Sequence, residues 1–202
     1  MTDALAFARA NLPPPPARVL EIGAGAGELA HALAARGYDV VAIDPEPGAD
    51  HVLPVALADL DEPDASFDAA LAVVSLHHVH PLERSCERLA ALVRTHGTLL
   101  IDEFDVERFD ELAAGWWLDQ RRARGAETRF SPDEMVAHYR AELHPLSKIA
   151  AVLASWFDVG PPTRGPYLYR WDLADPPREE EERLIGLGEL PAVGGRLVGV
   201  RR

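Results

Sequence analysis

Two adjacent histidines, His77 and His78, close an apolar run that begins at Phe67, and an acid, Glu103, stands just past a second run from Gly97 to Asp102. Imidazole changes charge near neutrality, so either ring could accept a proton from a hydroxyl or an ammonium group. One of the two rings is equally suited to pack against a ligand or cap its strand, and Glu103 could face the same reacting group. Upstream, Gly23, Gly25 and Gly27 stand at alternate positions after Val19-Leu20-Glu21-Ile22. Glycines let a backbone turn sharply and approach a ligand closely, while the start of a following helix offers unpaired N–H groups to an anion. A dinucleotide fingerprint would place its third glycine at position 28, where this chain has Glu28. Asp44 lies twenty-one residues beyond Gly23, where an acid ending a second strand can accept hydrogen bonds from ribose hydroxyls. Read blandly, it is a turn aspartate before Pro45. Glu21 is close enough to the glycine turn to hold its amides.

Such residues cooperate only if strands bring them to one edge. Apolar strand patterns alternate with helical ones, which argues for a parallel α/β sheet. A short helix is predicted over 3–11, stopped by the stiff spacer Pro13 to Pro16. Strands follow at 17–22, 38–43, near 52–57, 67–74 and 97–102, with a helix to Arg36 capped by Gly37 and another begun by Pro81. His80 reads as that helix's cap. The two histidines then fall where the sheet's carboxyl edge opens. Beyond residue 105 the alternation breaks. A helix is predicted over about 106–124, with Phe109, Leu112, Ala113, Trp116 and Gln120 on one face. Ser131-Pro132-Asp133-Glu134 is a capping box, Pro145 ends that helix, and another runs from Ser147 to Trp156. Residues 157–171 and 195–200 read as a terminal antiparallel pair, with the acidic run Glu179 to Glu182 solvated between them.

The glycines at 23, 25 and 27 with the acid at 21 resemble motif I of the class I S-adenosylmethionine (SAM)-dependent methyltransferases. Asp44, then Ala58-Asp59-Leu60 with Asp64-Ala65-Ser66-Phe67-Asp68, then Val73-Val74-Ser75-Leu76-His77-His78-Val79 resemble successive stretches of that family. The last is similar to its small-molecule, type 11-like branch. The resemblance covers residues 17–103. It implies a Rossmann-like, doubly wound, seven-stranded and mostly parallel sheet with a reversed final strand and a helical insert after strand five. It implies SAM as cofactor, S-adenosylhomocysteine as product, and a small-molecule acceptor methylated on oxygen, nitrogen or carbon. Glu21, Gly23, Ala24, Gly25, Gly27, Asp44, Pro45, Asp59, Leu60, Val74 and Ser75 would then hold the cofactor, Glu21 reaching its amino group through water. Asp59 and the Leu60 amide would meet the adenine, although many relatives carry that acid where this chain has Ala56. His77, His78 and Glu103 are the catalytic candidates. One domain over 1–202 is expected, with residues 105–155 covering the acceptor; His138, Tyr139, His144, Trp116 and Trp117 lie in that cover. Two other readings compete: a SAM-binding scaffold or sensor without catalysis, and a nicotinamide-dependent reductase, which Glu28 argues against.

Composition narrows the field. The 202 residues carry 20 Lys+Arg against 33 Asp+Glu, a net charge of -13, which disfavours a nucleic-acid substrate. The basic cluster Arg121, Arg122 and Arg124 reads as a solvated helix face. The single cysteine, Cys86, allows neither an intrachain disulfide nor a multi-cysteine zinc or radical cluster, and it shares an apolar stripe with Leu82, Leu89, Ala90 and Val93. Asp102 and Glu103 alone are a poor metal set, so no metal is expected. No Gly-Lys-Ser/Thr follows the glycine turn, and no Asn/Asp-Pro-Pro-Tyr/Phe occurs, which removes the usual signs of phosphoryl transfer and of adenine or glutamine methylation. No apolar run is long enough to span a membrane and no leader-like N-terminus is seen, so a cytoplasmic protein is expected. Nothing in the sequence bears on oligomeric state.

Overall fold

A computed structural model describes residues 2–171, 173 and 177–202. Its contacts divide the chain into two compact units, the first comprising 1–103, 147–162 and 196–202, the second 104–146 and 163–195.

The sheet contains β1 (Arg18–Ile22), β2 (Asp39–Ile43), β3 (Phe67–Val73), β4 (Val93–Phe104), β5 (Phe157–Val159), β6 (Thr163–Gly165) and β7 (Gly194–Arg201). Its order is β2-β1-β3-β4-β7-β5, with β6 also pairing β7. β1 is parallel to β2 and β3, β3 is parallel to β4, and β7 runs antiparallel to β5. This is the expected seven-stranded α/β sheet with a reversed last strand. Side chains explain why its strands stood out. Val19, Ala69, Leu71 and Leu100 pack on one face with α1 (Thr2–Asn11) and α2 (Glu28–Ala34). Leu20, Ile22, Ala70, Ala72, Leu99 and Ile101 alternate with them and are buried as well. Strands buried on both faces read as continuous apolar runs, so the central ones were legible. In α3 (Leu82–Leu92) the stripe Leu82, Cys86, Leu89 and Ala90 is buried, and burial pushes the Cys86 thiol up to about 12, an inert core group.

Four expectations change. The strand near 52–57 shrinks to one parallel bridge, Ile43 with Leu53, because Pro54 has no N–H to continue the ladder. The long strand expected over 157–171 is cut at Gly160-Pro161-Pro162 into β5 and β6, and residues 168–170 form a 3₁₀ turn. In the second unit, the helix predicted from 106 begins instead at Glu111, as α4 (Glu111–Ala123), where the Asp110 side chain accepts from the Ala113 amide at 2.9 Å. Phe109 therefore lies outside the helical phase. The buried face is Ala113, Ala114, Trp117 and Leu118, while Leu112 is 66% exposed. Last, the acidic run is not uniformly solvated. It lies in α7 (Arg178–Leu187), where Glu181 is fully buried and accepts from the amides of Tyr167, Leu168 and Tyr169 at 2.7–2.9 Å. α5 (Pro132–Glu142) starts at the expected Ser131–Glu134 capping box, and α6 (Leu146–Leu153) completes the helices. Trp171 packs against Trp117, Tyr139, Phe104 and Phe109 within the second unit, with ring centroids 4.8–5.8 Å apart. Among the described residues no helix is long and apolar enough to cross a membrane.

Candidate cofactor cleft and active site

Parallel pairing of β2, β1 and β3 brings their carboxyl ends together, and the chain leaves each in a turn. The glycine loop leaves β1 with the amides of Gly23 and Ala24 both donating to the Ile43 carbonyl, at 2.9 and 3.0 Å. Asp44, the next residue of β2's exit, clips the loop further: one oxygen accepts from the Gly25 amide and the other from the Glu46 amide, each at 2.9 Å. All three glycines have positive φ, a conformation that a side chain resists. They differ in what a side chain would meet. A Cβ at Gly23 would lie 2.3 Å from Ser75 Cβ, and one at Gly27 would lie 2.2 Å from His51 Nε2. At Gly25 it would meet nothing within 4 Å. Two glycines thus serve packing, and the third leaves the loop's surface open.

A cleft of about 510 Å³ occupies this edge. Of the residues expected to bind cofactor, Gly23, Asp44, Pro45, Val74 and Ser75 line it. Glu21, Ala24, Gly25, Gly27, Asp59 and Leu60 do not. Asp59 is exposed and pairs with Arg84 at 2.8 Å, and the buried Leu60 gives its carbonyl to Arg88 at 3.0–3.1 Å. The wall carries Ala56 and Leu57 instead, with Ser85 from α3 and His80. His80 is therefore on the cleft, and Pro81 takes the N-cap position. Leu57 carries no chemical mark in the sequence, whereas Ala56 stands where the resemblance places the adenine acid in many relatives. Ser85 had one faint signal, a hydroxyl on an apolar helical stripe.

The three catalytic candidates separate. Glu103 is completely buried, and one of its oxygens accepts from the amides of Ser75 (2.9 Å) and Leu76 (2.6 Å). Its other oxygen meets His77 Nδ1, and His77 is only 3% exposed. Of the three, only His78 lines the cleft, its ring centroid 4.3 Å from that of His77. Desolvation against the wall, then the neighbouring His77 and His80, hold the His78 pKa below the ordinary histidine value. Asp102, one residue before Glu103, points elsewhere and pairs with Arg196 at 3.0 Å. Glu21 is 4% exposed, and its Oε2 has no hydrogen-bond partner. Burial raises its pKa to about 7, against a smaller opposing effect of the Ala30 amide. Among the described residues no three His, Cys, Asp or Glu side chains gather as a metal set.

A parallel sheet whose glycine loop and acid-ended second strand meet at one cleft defines the nucleotide-binding class of α/β enzymes. Residues 1–161 match the methyltransferase domain family. The chain belongs to that family, in the class that uses SAM. Uncharacterised methyltransferases of Mycobacterium bovis and Mycobacterium tuberculosis are 38% identical over 98 residues, 44% of this chain and 40% of theirs. The aligned part thus spans less than half the length of those relatives. Among solved structures, a putative methyltransferase from an antibiotic biosynthesis pathway of Anabaena variabilis superposes with a TM-score of 0.65 at 17% identity, covering 100% of this chain and 97% of that one. The 1,6-didemethyltoxoflavin-N1-methyltransferase of Burkholderia thailandensis, solved with its substrate and S-adenosylhomocysteine, gives a TM-score of 0.56 at 20% identity over 99% and 76%. Phosphoethanolamine N-methyltransferase 2 of Haemonchus contortus, solved with SAM, gives 0.63 at 13% over 99% and 52%.

The cleft suits the cofactor of this class. Its wall offers apolar side chains beside a carboxylate at a strand end, and outside the lining the neighbouring Gly25 leaves its loop surface open and Glu21 keeps a buried oxygen without a partner.

Proposed function

We propose that this chain transfers the methyl group of SAM to a small-molecule acceptor and releases S-adenosylhomocysteine. The observation that carries this reading is Asp44, which clips the open glycine loop at the Gly25 amide and lines the same cleft as His78. Bound there, SAM would supply a methyl group already activated by the sulfonium. Each Asp44 oxygen keeps a lone pair beyond its backbone bond, so the carboxylate can also accept from ribose hydroxyls. Ala56 and Leu57 form the adenine wall, and Glu21 serves the cationic amino-acid end through water. His78, neutral at pH 7, takes the proton of a hydroxyl or ammonium acceptor. The small-molecule part of the reading draws on the Burkholderia neighbour and its bound substrate, and on the chain's net charge of -13, which repels nucleic acid.

Calorimetry with SAM, S-adenosylhomocysteine, NAD and NADP tests the assignment: the first two bind and the dinucleotides do not. Asp44→Ala is expected to weaken SAM binding by about 1.5–3 kcal/mol, since ribose hydroxyls lose a charged acceptor. Gly25→Val should abolish it, because the side chain enters the open space and a β-branched residue resists positive φ. NADP binding without any response to SAM or its product would overturn the reading.

The helical second unit is proposed to choose the acceptor, since inserts that interrupt a regular scaffold are where selectivity is built. Amide hydrogen exchange over 105–146 is expected to be faster than in the central strands and to slow when S-adenosylhomocysteine binds; residues 147–155 of the predicted cover belong to the first unit. Exchange as slow as the strands, with no response to ligand, contradicts this role.

A further inference from the structure

Three consecutive amides at the exit of β3 are held by two consecutive residues of β4. The Val74 amide donates to the Asp102 carbonyl at 2.8 Å, and the amides of Ser75 and Leu76 converge on one Glu103 oxygen. Between these anchors Val74 has a φ of +55°, a region that β-branched residues avoid because Cβ crowds the following carbonyl. A residue stays there only when its surroundings over-determine it. The surroundings here are specific. Ser75 Oγ donates to the Ile22 carbonyl at 2.8 Å, which fixes the far side of the turn to β1, and the second Glu103 oxygen is taken by His77. Glu103 has no exposed surface and does not line the cleft, so it cannot take a proton from an acceptor there. Val74, Ser75 and His78 do line it.

We propose that Glu103 is a positioning residue whose carboxylate locks the strained turn at Val74–Leu76, and through that turn sets the affinity of the cleft for cofactor. The proposal rests on the SAM-binding reading above. Two elements are tied by one side chain: the carboxylate stands near the end of β4 and acts as the acceptor for β3's exit. Amides bound to a carboxylate are held by charge-assisted bonds, roughly twice as strong as neutral ones. Without that charge the turn can relax toward the extended conformation that valine prefers, which moves the cleft floor. Glycine at position 74 has no such preference and would hold the turn unaided.

A double-mutant cycle on the full chain tests this by calorimetry with S-adenosylhomocysteine, alongside thermal melts. Glu103→Gln is expected to weaken binding roughly 10-fold when residue 74 is valine, and about 3-fold or less in a Val74→Gly background. Equal factors in the two backgrounds overturn the proposal. So does unchanged ligand affinity in the Glu103→Gln variant with valine at position 74. If the Gln variant melts below the assay temperature, Glu103→Asp, which keeps the charge but withdraws it by one methylene, should show the same dependence on residue 74. A wild-type chain that binds neither SAM nor its product defeats the functional reading and this one together, whereas normal wild-type binding without coupling defeats this one alone.

Discussion

His78→Asn is expected to slow methyl transfer by about 10²–10⁴-fold while leaving SAM affinity nearly intact, the range typical for loss of a general base. The ring lines the cleft and is held neutral by its surroundings, so at pH 7 it is ready to accept a proton. The wild-type rate should fall as pH drops through the His78 pKa, which lies below the ordinary histidine value of 6.5, and that acid limb should vanish in the Asn variant. His77→Asn has a different signature. It removes the partner of a fully buried carboxylate, so it should weaken cofactor binding and stability as well as rate. Rates measured once an acceptor is found decide the matter. A His78 variant that turns over at near-normal speed would leave catalysis to positioning alone.

The second large effect concerns Glu21, whose replacement by glutamine should stabilise the fold and weaken the site. Burial raises its pKa from 4.5 to about 7, so the folded chain holds this proton more tightly than the unfolded one. The favourable contribution of the neutral carboxyl is complete below pH 4.5 and is lost as pH rises through 7. By pH 8 an ionised Glu21 lacking a partner for one oxygen costs about 3 kcal/mol at 1.36 kcal/mol per pKa unit. Glu21→Gln escapes that cost. Urea unfolding should therefore show the variant more stable by about 3 kcal/mol at pH 8, with the gap closing toward pH 4.5. SAM binding should weaken in the same variant, because a cationic ligand loses its buried counter-charge. Parallel stability curves for the two proteins across that range would show that the carboxyl is already satisfied in the fold.

The sheet and the glycine loop were legible because their constraints act locally. Val19 to Ile22 is buried throughout and Phe67 to Val73 nearly so, which leaves apolar runs interrupted only by Glu21 and Asp68, and Gly23, Gly25 and Gly27 all need positive φ. What escaped depends on direction in space. Asp102 and Glu103 are adjacent acids, yet strand alternation sends the first to Arg196 and the second to the turn after β3. Four successive glutamates read as one solvated run, and only helical phase turns Glu181 inward. Leu57 lines the cleft through the path of the chain between β2 and β3 with nothing in its chemistry to announce it, and Ala56 beside it was marked only by the family resemblance. The face of α4 was misread by one residue because its true start, at the Asp110 cap, resets the count.

The contact between Gly23 and Ser75 reaches beyond this one chain. With 2.3 Å between an added Cβ and Ser75 Cβ, and Ser75 Oγ bound to the Ile22 carbonyl, the two strand exits interlock as a key and its ward. A side chain at position 23 would displace Ser75. A chimera that imports the 74–79 segment of another family member should fold only if position 75 arrives small, or if the glycine loop travels with it as a single cassette.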